Sequence, residues 1–205
     1  MLVCKRLLAA VALLAAAHAH AGSAGNLSID DVKLGGLTAA FWSDAAVYSG
    51  ANPMQGAGGF AGAFAPTGTG SWTALEKVEG TRIQDLSSTF NFTFTLDKSN
   101  QSGSWSITNT TSTDVRIDLV FAMHASNGSG NFLFDDQVIT KGQTLTGNWA
   151  IQWLNNGGRI PDYSNLVVFG RDQRSILAPV PEPDTWAMLA SGLLALAIAS
   201  RKRRR

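Results

Sequence analysis

The chain has 205 residues, 45% of them hydrophobic and 15% charged, with one cysteine and a formal net charge of +1. That charge is segregated: two of the sixteen cations lie among the first six residues and five are the last five. Between Gly22 and Val180 nine Lys or Arg face thirteen Asp or Glu, a net charge of −4. The absence of a basic stripe there excludes nucleic acid as a partner, and one cysteine excludes a disulfide framework.

The N-terminus carries Lys5 and Arg6, an apolar core from Leu7 to Ala17, and the small-x-small sequence Ala19-His20-Ala21 before Gly22. These features predict a signal peptide over residues 1–21, cut by signal peptidase between Ala21 and Gly22. Cleavage would remove Cys4, His18 and His20. The mature protein would then hold together by packing alone, with no thiol chemistry. Cys4 precedes the apolar core, whereas a lipid-anchored cysteine would follow it.

Residues 22–179 are long enough for one domain with a real core. Their dominant pattern is period two. From Thr89 to Asp97 the alternation is unbroken, with Phe90, Phe92, Phe94 and Leu96 on one face and Thr89, Asn91, Thr93, Thr95 and Asp97 on the other. This predicts a half-buried strand. The turn-rich sequence Asp97 to Gly103 then leads into a strand with Trp105 and Ile107 inward, as in a hairpin. Val115, Ile117, Leu119, Phe121 and Met123 define a third alternating strand. Further strands are expected at Leu27 to Leu34, Trp72 to Glu79, Asn131 to Phe134, Leu145 to Leu154 and Asn165 to Arg171. Some eight strands and no long helical repeat predict an all-β fold, an antiparallel β-sandwich of jelly-roll type.

Residues 43–71 interrupt this scheme with seven glycines and no alternation. They predict a long ordered loop over one end of the sandwich, anchored by Phe60 and Phe64. Gly56-Ala57-Gly58-Gly59 lacks the Gly-Lys-Ser/Thr and the strand–helix context of a phosphate loop. The triplets Gly70-Ser71-Trp72, Gly103-Ser104-Trp105 and Gly147-Asn148-Trp149 place a Gly at an expected turn and a Trp at a strand start. Core filling is the favoured role of these indoles, and an exposed sugar-stacking platform is the sharper one.

Catalytic groups are scarce. His124 is the only histidine between residues 22 and 180, and its parity puts it with Arg116 and Asp118 on the face opposite Val115 to Met123, a solvated face. No Gly-x-Ser-x-Gly nucleophile elbow occurs. Glu76 and Glu79 face opposite sides of a regular strand. Asp30-Asp31 and Asp135-Asp136 are adjacent pairs suited to a Ca²⁺ rim only if further ligands join them. The expectation is a non-catalytic protein without metal or cofactor. Polar faces rich in Ser, Thr and Asn, with five Asn-x-Ser/Thr sequons, suit hydrogen bonding to a hydrated polysaccharide.

The C-terminus is the most specific segment. Val180, Pro181, Glu182 and Pro183, closing with Asp184, form an extended, accessible motif over residues 180–184, since each proline disfavours helix at the residue before it. A predicted transmembrane helix covers residues 185–200. Trp186 is placed for the membrane interface, and the basic tail Arg201, Lys202, Arg203, Arg204 and Arg205 would stop transfer on the cytoplasmic side. Only 16 residues separate Asp184 from Arg201, about 24 Å of helix, less than the ~30 Å hydrocarbon core. Motif, Trp, apolar helix and basic tail in this order resemble the PEP-CTERM sorting signal of Gram-negative bacteria. The resemblance implies recognition and cleavage by exosortase, an intramembrane cysteine transpeptidase. It also implies export across the inner membrane, transient anchoring, and release to the surface or extracellular matrix in the company of exopolysaccharide. The region Trp72 to Gly170 is similar to a domain common in such proteins, through Trp72 to Lys77, Gly103-Ser104-Trp105, Phe132-Leu133-Phe134, Gly147-Asn148-Trp149 and Ser164 to Phe169. It departs from that domain at Met123-His124, where a lysine is common. The competing expectations are a carbohydrate-active enzyme and an adhesin for a protein partner.

Overall fold

The computed structural model describes residues 27–38, 45–176 and 183–202. The predicted signal peptide therefore lies outside the described residues. Among the described residues eleven strands are formed: β1 (Lys33–Leu34), β2 (Leu37–Thr38), β3 (Ala46–Ser49), β4 (Thr73–Glu79), β5 (Arg82–Asp85), β6 (Phe90–Phe94), β7 (Ser102–Asn109), β8 (Asp114–Ala125), β9 (Gly128–Ile139), β10 (Thr144–Ala150) and β11 (Asn165–Ile176). One helix follows, α1 (Pro183–Lys202). The strands pair antiparallel into a six-stranded sheet of order β3-β9-β8-β11-β4-β5, a three-stranded sheet of order β10-β7-β6, and the small ribbon β1-β2.

The two main sheets form an antiparallel β-sandwich, as the alternation predicts. Phe90, Phe92, Trp105, Ile107 and Trp149 from the small sheet meet Val115, Ile117, Leu119, Phe121, Met123, Phe134 and Val168 from the large one. The Trp105 ring lies 4.7 Å from that of Phe121 and 5.9 Å from that of Phe134, tilted against both. Tilted aromatic contacts of this kind add to the area they bury.

The large sheet is buried on its other face as well. Val120, Ala122, Leu133, Val167 and Phe169 point away from the sandwich interior and pack under Phe60 and Phe64. The glycine-rich segment thus lies across a sheet face, where sequence alone suggested one end of the sandwich. It contains β3 and three short 3₁₀ turns, Pro53–Gln55, Ala57–Gly59 and Ala65–Thr67. The Phe60 ring meets those of Phe169 at 5.2 Å and Trp72 at 5.5 Å, both edge-on. β8, β9 and β11 are therefore covered on both sides for part of their length, and the expected solvated face behind Val115 to Met123 is a second core.

Two expected elements differ, and one strand was not expected. Leu27 to Leu34 is a strand only at Lys33–Leu34. Before it, Ile29–Asp31 forms a 3₁₀ turn in which the Ser28 hydroxyl accepts from Asp30 N and the Asp31 carboxylate accepts from Ser28 N. The strand expected to reach Leu154 ends at Ala150. β5 has no counterpart in the expectations, because all four of its residues are exposed and no alternation marks it.

Candidate functional site

The densest chemistry lies on the outer face of the large sheet, where β8 is flanked by two bulges. Asp118 opposes both Asp135 and Asp136 on β9, and Ile117 opposes Asp172 and Gln173 on β11. Each bulge holds a left-handed aspartate, Asp136 at φ 50° and Asp172 at φ 51°. Asp is among the few residues that tolerate this region. The extra residue also resets the alternation, so that Phe134 and Ile139, five apart, both reach the core.

Arg171 occupies the centre of this site. Its Nε donates to Asp118 Oδ2 at 3.0 Å, and both side chains are buried. Its other nitrogens reach the carbonyl of Gly68 and the hydroxyl of Thr67. The guanidinium carbon sits 4.2 Å above the Trp72 ring. Asp118 also accepts from Asp136 N at 2.9 Å, and Asp172 accepts from Thr69 N at 3.1 Å. Asp136 in turn meets Arg116 and Arg174 at 3.3 and 3.4 Å. Burial, reinforced by Asp118 and Asp136, pushes the Asp135 carboxyl up to about 6.

This constellation clamps structure. A general acid and its partner in glycoside hydrolysis need free carboxyl oxygens flanking a bond at ~5–10 Å, yet the Asp118 oxygens accept from Arg171 Nε and Asp136 N. Arg171 spends its donors on Asp118 and on the segment Thr67 to Gly68, so it fixes the end of the glycine-rich segment to the sheet. Among the described residues no group of three or more His, Cys, Asp or Glu is arranged to hold a metal ion. Asp31 is committed to its turn.

His124 is also placed differently from the sequence expectation. It is half-buried, and its Nδ1 lies 2.8 Å from Ser129 Oγ, which donates to Ala51 O at 2.6 Å. Burial lowers its pKa. Among the described residues no acidic side chain is bonded to it as a triad would require. Glu76, expected only to face away from Glu79 on a regular strand, is buried. A register shift between Val168 and Phe169 turns Glu76 toward the sandwich interior, where its side chain is 1% exposed and neither oxygen has a hydrogen-bond partner. Burial, with Asp85 across the β4–β5 hairpin, pushes its carboxyl up to about 7.

The Trp triplets fill the core. Trp105 and Trp149 are buried, and Trp72 is half-buried beneath Arg171. Gly103 and Gly147 lie within strands, where turns were expected. Of the sequons, Asn91, Asn100 and Asn127 are exposed. Asn109 is buried with its amide donating to Thr113 O and Ile139 O, both at 2.9 Å.

Of the expected sorting residues, Val180, Pro181, Glu182, Arg203, Arg204 and Arg205 lie outside the described residues, as do Ala19, Ala21 and Gly22. Pro183 is the first residue of α1, so the helix starts two residues before the expected Thr185 and part of the motif is helical rather than extended. Proline is well suited to that position, having no N–H to leave unpaired. Trp186 lies in the first turn, and Arg201 and Lys202 end the helix. Along it Met188, Leu189, Leu193, Leu194 and Leu196 are exposed. Among the described residues no helix is long and apolar enough to cross a membrane, so the expected transmembrane helix appears as a helix of marginal apolar length.

Fold and tail together define a β-sandwich protein with a C-terminal sorting segment. Residues 179–205 match the PEP-CTERM protein-sorting motif, and the chain carries that motif. The motif implies processing by exosortase and export to the cell envelope or surface. No curated protein matches the chain, and no solved structure does.

Proposed function

We propose that this chain is a non-catalytic component of the cell surface or extracellular matrix, associated with exopolysaccharide after exosortase removes its tail. The observation that carries the reading is the sorting motif at residues 179–205, coincident with α1 and its cationic end. α1 holds the protein at the inner membrane only transiently. Its 20 residues rise about 30 Å, but Asp184 at one end and Arg201 and Lys202 at the other leave a shorter apolar middle. Snorkelling cations and local thinning of the bilayer absorb that mismatch at modest cost. A marginal anchor suits a segment that is to be cut away. Signal peptidase acts first, at Ala21–Gly22, and the positive-inside rule leaves the basic tail cytoplasmic.

The non-catalytic reading is supported by the way reactive groups are used: His124 is bound to Ser129, and Asp118 to Arg171. Mass spectrometry of mature protein from the native host tests the processing. The expected product lacks Trp186 to Arg205, and Glu182→Ala stays in the membrane fraction. An intact C-terminal arginine on the surface form would overturn the proposal.

A further inference from the structure

The outer face of the three-stranded sheet is a three-by-three array of short neutral polar side chains. Register places Asn91, Thr108 and Thr144 in one row, and Thr93, Ser106 and Thr146 in the next. Thr95, Ser104 and Asn148 form the third, with Thr95 N donating to Ser104 O at 2.8 Å. None of the nine is charged or aromatic. Asn91, Thr93, Thr95, Ser104, Thr144, Thr146 and Asn148 are exposed, and Ser106 is recessed at the centre. A solvent-facing sheet is normally kept soluble by interspersed charges, and an ectodomain that carries 22 charged residues places none here.

Cross-strand hydroxyl pairs fix the array. Thr93 and Ser106 approach at 2.7 Å, Thr95 and Ser104 at 2.7 Å, and Thr108 and Thr144 at 2.8 Å. Within each pair one hydroxyl donates to the other, which leaves lone pairs for an outside partner and, at Thr93–Ser106 and Thr108–Thr144, one further proton, whereas Thr95 Oγ1 also accepts from Ser104 N and reaches Ser104 O. Threonine is stiff at χ1, so little side-chain freedom remains to be lost on binding. Strands spaced ~4.8 Å apart, with same-face residues ~6.7 Å apart along each, give a flat lattice of alternating donors and acceptors.

We propose that this face binds a neutral polysaccharide chain laid across β6, β7 and β10. The inference rests on the surface-component reading above and names the part of the molecule that meets the polymer. Sugar hydroxyls donate and accept in the same way as the nine side chains. A polyanion would require Lys or Arg, which the face lacks, and would be repelled by an ectodomain of net charge −4. A protein partner would require aromatic or apolar anchors, also missing from the nine positions. With no stacking ring in the array each contact is weak, and retention comes from many copies along one polymer.

The test is co-sedimentation of the detergent-solubilised full chain with three insoluble neutral polysaccharides (cellulose, curdlan and mannan) and with calcium alginate beads as a polyuronate. Wild-type protein is expected to pellet with at least one neutral polymer and not with alginate. Thr146→Lys and Asn148→Lys, each on an exposed strand position, should lower retention about tenfold by removing multivalent contact. Gln84→Lys on exposed β5 should leave it unchanged. Two single variants guard against one misfolding, and thermal melts identify which are folded. Wild-type retention that both folded variants match would overturn the face while leaving the surface-component reading intact. Failure of wild type on every neutral polymer, or equal retention on alginate, would overturn the proposal. Whether the native protein stays with the host's matrix in a salt wash then decides the broader reading separately.

Discussion

Gly103 lies directly opposite Trp149 across the β7–β10 pair, and the relation is reciprocal, because Gly147 lies opposite Trp105. Each indole passes over the glycine of the other strand. A Cβ on Gly103 would stand 2.9 Å from Trp149 Cζ2 and 1.9 Å from Thr95 O. One on Gly147 would stand 2.6 Å from Trp105 Nε1 and 1.8 Å from Lys33 O. The Trp105 Nε1–H donates to that same Lys33 carbonyl at 2.9 Å, so the glycine admits both the ring and the β1 backbone that satisfies it.

Gly147→Ala is therefore expected to lose at least ~1–3 kcal/mol, the range for overpacking a tight core, because two backbones must separate. Gly50→Ala, with nothing within 4 Å of its Cβ position, should change stability by less than ~0.5 kcal/mol. Urea melts of the two variants decide it, and equal losses would mean that the glycine serves chain flexibility rather than close approach.

Phe60 tests the second core. Its ring is buried against Phe64, Trp72 and Phe169. Phe60→Ala should cost on the order of 3–5 kcal/mol, as for other large aromatic truncations. It should also raise amide exchange between Gly50 and Gly70 before the sandwich strands open. A loss below ~1 kcal/mol would show that the glycine-rich segment rests on the sheet without stabilising it.

Glu76 should make stability fall as pH rises. The native side chain keeps its proton up to about 7, against an ordinary value of 4.5. Between those values the folded state binds the proton more tightly than the unfolded chain, so stability is full below about 4.5 and declines through about 7. The span corresponds to at most about 3 kcal/mol. Asp31 and Asp135, both raised to about 6, act in the same direction. The informative quantity is the difference between wild type and Glu76→Gln. The variant should be the more stable at pH 8 and indistinguishable at pH 4. Parallel profiles would place the carboxylate in contact with water.

The Asp118–Arg171 pair should show strong coupling. Removing one partner of a buried ion pair typically costs 3–5 kcal/mol, roughly what Asp118→Ala should lose, since it strands the guanidinium. The double variant Asp118→Ala, Arg171→Met should lose much less than the sum of the single losses. Chemical denaturation of all four proteins gives the cycle, and additive losses would mean that Arg171 is held by Trp72 and the Thr67–Gly68 backbone alone.

Much of the architecture was legible in the sequence because alternation reports the sandwich interior directly. Phe90 and Phe92 are buried as their parity requires, with Asn91 between them exposed. The same reading failed for Val120 and Ala122. Continuous apolar runs, Leu119 to Met123, Phe132 to Phe134 and Leu166 to Phe169, signal strands buried on both faces. That signal was present, but nothing local says what covers the second face.

The sequence by itself determined the sorting motif, the all-β class and the inner core, since each is written in neighbouring residues. Tertiary structure alone decided the rest. The glycine-rich segment covers the outer face because Phe60 and Phe64, whose spacing names no partner, find Phe169 and Val120 there. Glu76 turns inward through a register shift between β4 and β11 that no single strand encodes. Asp118 meets Arg171, 53 positions away, because two bulges align on either side of β8. Local pattern fixes which face of a strand is apolar, and only the pairing of distant strands fixes what each face meets.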